Sequence, residues 1–297
     1  MYKKFILKNL IFILILFLSL FVFNFVVDPY KANNYFELPL NKEHVSYRKH
    51  YRLYKMLEHM NNPKEILILG DSRGDSLRAE YFETYKNNIS NLSYGGGTLY
   101  EAINSFWFAT KYIDVKKVIF VLPFSIFNEN ENRDLTVEAL DMINSGYQLY
   151  LNPLVTKVSF LNILDYFKSI DIEKPSESKE DFWISELDAA KNYYMYYVYP
   201  KKLFAQLKSM SQYCKTNDID LIFVIPPVHV DLQYKINEFK LNDEYKKFKL
   251  DLQHLGKVID YDTVNSITIN KDNFNDPWHA NAEVEKQIAI DVERELD

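Results

Sequence analysis

Hydrophobic and polar positions divide the chain into three regimes. From Asn9 to Val27 no residue is charged, and Leu10 to Phe23 is apolar apart from Ser19. A helix of that length, at about 1.5 Å per residue, spans roughly 29 Å, close to the thickness of a bilayer core. A cleaved signal peptide would have a shorter apolar region, about 7–15 residues, ending in small residues. Here the run leaves through Phe25-Val26-Val27-Asp28-Pro29-Tyr30. Residues 1–27 therefore read as an uncleaved signal anchor. Lys3, Lys4 and Lys8 precede the run and favour a cytoplasmic N-terminus, with the bulk of the chain outside the cytoplasmic membrane.

The second regime, residues 28–63, is a juxtamembrane stretch. Arg48, Arg52 and Lys55 recur there at helical spacing, which predicts a basic helix face in solvent near lipid headgroups. From residue 64 short runs rich in Ile and Val alternate with helical patterns. The runs are Ile66–Leu69, Ile89–Ser93, Val118–Leu122, Leu221–Ile225 and Val258–Tyr261. Leu99–Tyr112, Lys201–Asn217 and Asn281–Glu295 have helical periodicity. This alternation predicts βαβ units and an α/β fold with a central parallel sheet. Ligands of such sheets bind beyond the carboxyl ends of the strands. A helical insertion, about 130–200, interrupts the alternation between the third and fourth strands. It holds an acidic loop near Glu173–Asp181 and the string Asn192-Tyr193-Tyr194-Met195-Tyr196-Tyr197-Val198-Tyr199. Tyrosine combines an apolar face with a hydroxyl, which suits both a packed helix and a lid that stacks on sugar rings. The domain thus runs over 64–297.

Composition narrows the options. Hydrophobic residues make up 47% and aromatic residues 16%, ample for a sizeable core. The net charge of −6, with the N-terminal lysines set aside, leaves an acidic body without a basic cluster, which argues against a nucleic-acid partner. Cys214 is the single cysteine, so an intramolecular disulfide and a cysteine metal site are excluded. His44, His50, His59 and His254 have no second ligand at metal spacing, so no metal or other cofactor is read.

Two distant strings carry chemistry. Ile66-Leu67-Ile68-Leu69-Gly70-Asp71-Ser72-Arg73 is an apolar strand running into Gly-Asp-Ser, and Asp276-Pro277-Trp278-His279 puts an Asp three residues before a His. A serine hydroxyl needs an imidazole to take its proton, and the imidazole needs a carboxylate to hold its tautomer. Ser72, His279 and Asp276 are the candidates for those roles. Asp276 and Pro277 also suit a helix N-terminus, as cap and first residue. The order Ser…Asp…His, with two residues between Asp and His, resembles the SGNH (GDSL-like) hydrolase superfamily.

A third string, Asn91-Leu92-Ser93-Tyr94-Gly95-Gly96-Gly97-Thr98, is similar to that family's second block. The resemblance implies a backbone N–H donor to the oxyanion at Gly96, or at Gly95 or Gly97 if the turn is shifted, beside the N–H of Ser72. Five of the 7 glycines lie between Gly70 and Gly97. The family's third block, Gly-x-Asn, has no counterpart. The third strand leads instead into Pro123-Phe124-Ser125-Ile126-Phe127-Asn128, where Asn128 is the candidate donor. Arg73 beside the serine and His229 after the fourth strand are candidate substrate contacts.

The divergent third block resembles the membrane-anchored, cell-envelope branch of the superfamily, which includes the teichoic acid D-alanyl transfer protein and the accessory proteins of alginate-type O-acetylation. The resemblance implies an SGNH-like three-layer fold and an acyl-serine intermediate. It also implies O-acyl transfer, or ester hydrolysis, on a cell-envelope polysaccharide. The partners would be that glycan or its acyl donor, and a membrane-bound O-acyltransferase. The alternative is a catalytically silent SGNH fold serving as a scaffold in surface-polymer assembly.

Overall fold

A computed structural model describes residues 2–33, 35–40, 42–168 and 179–296. In chain order its helices and strands are α1 (Tyr2–Val27), α2 (Arg48–Asn61), β1 (Ile66–Gly70), α3 (Ser72–Ser76), β2 (Ile89–Asn91), α4 (Leu99–Ala109) and β3 (Lys117–Val121). Then come α5 (Thr136–Asn144), α6 (Pro153–Lys168), α7 (Lys179–Tyr194), α8 (Lys201–Thr216), β4 (Asp220–Ile225) and α9 (Val230–Glu238). The chain closes with α10 (Asn242–Leu255), β5 (Lys257–Asp260), β6 (Phe274–Asp276), β7 (His279–Ala280) and α11 (Ala282–Leu296). Of the expected acidic loop, residues 173–178 lie outside the described residues.

The chain forms two compact units. One is Pro63–Asp134 with Pro175–Asp297, the other Met1–Asn62 with Leu135–Lys174. The insertion is accordingly divided: α5 and α6 belong with the N-terminal segment, and α7 with the sheet.

The larger unit is built on a five-stranded parallel sheet in the order β2-β1-β3-β4-β5. Its central strands β1, β3 and β4 carry apolar runs without polar alternation because both faces are covered, whereas the edge strands β2 and β5 are partly exposed and carry Ser90, Asn91, Lys257 and Asp260. Period-two geometry splits each strand between two cores. Leu67, Leu69, Val118, Phe120, Phe223 and Ile225 face α4, α8, α9 and α10. Ile66, Ile68, Ile119, Val121, Ile222 and Val224 face Phe82, Trp183, Phe274 and α11. That is the three-layer α/β arrangement expected. The order reverses between β1 and β3, and the crevice at the carboxyl ends of those two strands is where such sheets bind ligands. Helix α4 starts just beyond the glycine turn because Thr98 and Glu101 form a capping box. Thr98 Oγ1 accepts the Glu101 N–H at 3.3 Å and Glu101 Oε2 accepts the Thr98 N–H at 3.1 Å.

In the smaller unit α1 is long and apolar enough to cross a membrane. Leu10, Phe12, Leu14, Ile15 and Leu18 are exposed. Apolar surface of that extent requires lipid or another apolar cover. The carboxyl end of α1 is tied down differently: buried Asn24 donates to Tyr150 O and Thr156 Oγ1, both at 2.7 Å. The basic face expected on α2 does not form in solvent. Arg48 is exposed, but Arg52 and Lys55 are buried, at 5% and 8% exposure. The helix is broken at His50 (φ −157°, ψ 72°), which takes Arg48 out of register. Arg52 stacks on Tyr51 with 4.7 Å to the ring centroid, so its apolar stem and flat head pack into the unit.

Candidate active site

Ser72 is the first residue of α3, separated from the end of β1 by Asp71 alone. The chain turns there because Gly70 takes φ +154°, a conformation that L side chains rarely adopt. A Cβ at Gly70 would stand 2.4 Å from Val121 O. Asp71 then caps α3, its Oδ1 accepting the Arg73 N–H at 3.0 Å. Asn91 fastens the far side of the turn: its Nδ2 donates to Gly74 O at 2.8 Å and Leu77 O at 3.1 Å. Gly74 lets the turn lie against the segment that follows β2, since a Cβ there would sit 2.5 Å from Ser93 Oγ.

Asp276 and His279 come from the β6–β7 hairpin, where they face each other across the antiparallel pair. Asp276 Oδ1 accepts the backbone N–H groups of Trp278 (2.8 Å) and His279 (3.0 Å), closing an Asx-type turn. Helix α11 begins later and is capped by Asn281, whose Oδ1 accepts from Glu283 N and Val284 N. The reading of Asp276 and Pro277 as a helix N-terminus is corrected accordingly: Asp276 ends β6 and pairs with His279 across the corner, and the first helical residue is Ala282.

The three side chains form a continuous relay. Ser72 Oγ lies 2.7 Å from His279 Nε2, and His279 Nδ1 lies 2.8 Å and 2.9 Å from the two Asp276 oxygens. A carboxylate can only accept, so the imidazole proton sits on Nδ1 and Nε2 is left to receive the serine proton. Burial alone would raise the Asp276 pKa. The His279 hydrogen bond and charge and the two backbone N–H groups outweigh it and hold the carboxyl below its ordinary value. Asp276 therefore stays ionised through neutral and mildly acid solution, as the tautomer argument requires.

The relay opens into a cavity of about 250 Å³ lined by Ser72, Arg73, Gly96, Gly97, Ser125, Tyr193, Trp278 and His279, among others. Of the three glycines Gly96 and Gly97 line the cavity; Gly97 N–H donates to Tyr94 O at 2.8 Å, and Gly96, at φ +60°, is the other candidate donor on the wall. Arg73 also lines the cavity, but its charge is already matched. Its Nε and Nη2 grip the Asp71 carboxylate, Nη2 donates to Ser125 Oγ at 2.9 Å, and the guanidinium lies 5.7 Å from the Trp278 ring centroid.

Two expected contacts fall elsewhere. Asn128 is buried and turned into the protein: Nδ2 donates to Tyr193 O (2.9 Å), and Oδ1 accepts Asn130 N (3.1 Å) and Val198 N (3.0 Å). With no glycine at the β3 exit, Phe124 and Phe127 bury themselves and carry the chain past the crevice before Asn128 is reached. His229 caps α9, its Nδ1 accepting Asp231 N at 3.2 Å, and is packed edge-on to Trp183 and Phe274. Burial, only partly offset by Asp231, lowers its pKa. It helps hold the hairpin by donating its backbone N–H to Pro277 O at 3.0 Å.

Sequence reasoning missed Ser125, Glu131, Arg133 and Glu186 as cavity lining. Arg133 Nη2 donates to Gly96 O at 2.5 Å, bracing the glycine turn. Asn192 and Tyr193 also line it, and both lie at the start of the tyrosine-rich string. Trp183 and Trp278 pin α7: Trp278 Nε1 donates to Glu186 O at 3.2 Å, and its ring packs on Tyr193 with centroids 5.2 Å apart. Among the described residues no group of His, Cys, Asp and Glu could hold a metal ion.

An α/β sheet with a Ser–His–Asp relay at its carboxyl edge defines the class of site: one able to activate a serine toward an acyl carbonyl. No family model matches the chain, and a search of curated proteins found no match. Among solved structures it is similar to a provisional acylhydrolase from Bacteroides fragilis NCTC 9343, at 15% identity and TM-score 0.39, covering 80% of this chain and 89% of that one. A provisional platelet activating factor from Streptococcus pneumonia matches at 10% identity and TM-score 0.43, over 86% and 96%. A GDSL-like lipase from Bacteroides thetaiotaomicron matches at 12% identity and TM-score 0.37, over 78% and 86%. Likenesses this distant carry no weight for the chemistry, which rests on the relay itself.

Proposed function

We propose that this chain is a membrane-anchored serine enzyme that breaks or transfers an O-acyl ester of a cell-envelope polysaccharide, working outside the cytoplasmic membrane. The observation that carries the reading is the unbroken relay from Ser72 through His279 to Asp276, opening into a cavity. Ser72 Oγ attacks the acyl carbon as His279 Nε2 takes its proton. His279 returns that proton to the leaving oxygen, and acyl-Ser72 remains for an acceptor hydroxyl or water. Gly96 N–H and Ser72 N–H face the developing oxyanion. Tyr193 and Trp278 beside the serine suit a sugar ring. The apolar α1 suits an anchor that keeps the site near the membrane, where a membrane-bound O-acyltransferase would supply the acyl group.

A fluorophosphonate probe tests the chemistry: it should label the wild-type chain and not Ser72→Ala, with circular dichroism unchanged. Labelling of Ser72→Ala at the wild-type rate would sink the assignment. Deleting the gene and measuring acyl groups released from purified envelope by mild alkali separates the directions. A transferase leaves fewer ester-linked groups after deletion, a hydrolase more. The displacement of Asn128 from the cavity favours a second reading, a catalytically silent scaffold. On that reading the probe labels nothing and Ser72→Ala restores the deletion strain fully.

A further inference from the structure

The exit of β3 carries a hydroxyl that no step above uses. Ser125 sits in a single 3-10 turn, Phe124–Ile126, and is 3% exposed. It lines the same cavity as Ser72 and His279. The exits are neighbours because Gly70 pairs with Val121 in the parallel register. Ser125 Oγ accepts from Arg73 Nη2 at 2.9 Å. Arginine cannot accept a hydrogen bond, so the Ser125 proton must point away from the guanidinium. Among the described residues Ser125 Oγ donates to no protein group. A buried hydroxyl with an uncommitted proton at a polar cavity needs a partner.

We propose that Ser125 is a catalytic oxyanion donor, standing where Asn128 cannot reach, and that Arg73, clamped by Asp71, is the positioning residue that aims it. The inference rests on the acyl-serine reading above. As the Ser72 Oγ–C bond forms, the carbonyl π pair moves onto oxygen and the Ser72 proton passes to His279 Nε2. The Ser125 O–H tightens its hydrogen bond on that oxygen without transferring its proton. When the pair returns, the C–O bond to the leaving group breaks and His279 gives its proton to the departing oxygen. The Arg73 charge polarises the Ser125 hydroxyl and makes it a stronger donor. The Asp71 carboxylate balances that charge, so the pair adds a directed O–H without adding net charge to the cavity.

The test uses the full chain in detergent with p-nitrophenyl acetate. Ser125→Ala should lower kcat by about 10²–10³-fold, the usual effect of one lost oxyanion donor, with KM changed less than about threefold. Affinity for a trifluoromethyl ketone, which forms a tetrahedral adduct on Ser72, should fall by the same factor. A merely structural role would not move those two together. Where ester turnover is slow, the second-order rate of fluorophosphonate labelling reads the same donor. Arg73→Lys should lower kcat in the wild-type background and add nothing in Ser125→Ala; additive losses overturn the positioning role. If Ser125→Ala keeps kcat within about threefold, or loses only in KM, the proposal is overturned. If Ser72→Ala also keeps full turnover, the acyl-serine reading fails with it; if Ser72→Ala is dead, only the role of Ser125 fails.

Discussion

The exits of β1 and β3 leave the sheet side by side, Gly70 opposite Val121, and meet the crevice in opposite ways. At β1 the backbone bends sharply at a glycine that tolerates no Cβ, and Ser72 emerges at once into the cavity. At β3 there is no glycine. Pro123 continues the extended path (φ −83°, ψ 158°), Ser125 touches the cavity, and Phe124 and Phe127 anchor the chain in the core. Asn128, next in line, has all its side-chain bonds inside the protein. The β1 exit brings Ser72 into the cavity at once, whereas the β3 exit sets Ser125 on the cavity wall and then commits Asn128 to holding the backbone of Tyr193 and Val198. Similar residue types at the two exits therefore have different duties.

The largest expected effect tests the β1 side of that contrast through the partner of its serine. Asp276→Asn keeps the shape but offers an amide where Nδ1–H must be accepted, and so favours the wrong tautomer. A fall in kcat of about 10⁴-fold is expected, with the fold intact by circular dichroism. Loss of less than tenfold would mean that the backbone holds His279 without the carboxylate.

Gly70→Ala probes the bend itself. A Cβ meets Val121 O at 2.4 Å in a backbone region unfavourable to L residues, and backbone on both sides cannot yield cheaply. A loss of stability of about 2–4 kcal/mol is expected, read by urea unfolding, together with a severe loss of labelling by the fluorophosphonate probe. Asn128→Ala probes the β3 exit in turn. It breaks the three hydrogen bonds made by a buried side chain to partly buried backbone groups, so about 1–3 kcal/mol of stability should be lost. Its kcat, measured well below the midpoint of unfolding, should change by less than tenfold. An effect on kcat as deep as that of Ser125→Ala would return Asn128 to the chemistry.

Much of this was legible in the residues, and the reasons differ from place to place. The central strands are readable because a parallel sheet covered on both faces demands unbroken apolar runs, and the edge strands β2 and β5 keep only a short remnant of that signal. Ser72, Asp276 and His279 are readable because their chemistry fixes both residue type and local spacing. The hairpin around Asp276 was not, because Asp-Pro is equally good chemistry for a helix start and only the pairing of Phe274 with Ala280 decides. Arg52 and Lys55 looked like a solvated face because periodicity assumes an unbroken helix, and the break at His50 is invisible to it. Glu131, Arg133 and Glu186 reach the cavity from a loop and from α7, and nothing local to them signals that.

The smallest effect concerns a carboxyl near the relay rather than in it. Glu285 on α11 is half-buried, and burial pushes its pKa up to about 7 against the pull of Ser76, Arg78 and His279. Its folded pKa is raised above the unfolded value of 4.5, so its protonated form is favoured in the folded state. The associated stability is fully present below about pH 4.5 and is lost as pH rises through about 7. Glu285→Gln mimics the protonated form and should therefore be nearly neutral at pH 4.5 and stabilising at pH 8. After allowance for solvent screening of a half-exposed group the gain should be about 1 kcal/mol. Urea midpoints of the two proteins, taken across pH 4.5–8, should separate progressively with rising pH. Curves that stay parallel would show that Glu285 has the same pKa folded and unfolded, and that α11 presents it to water.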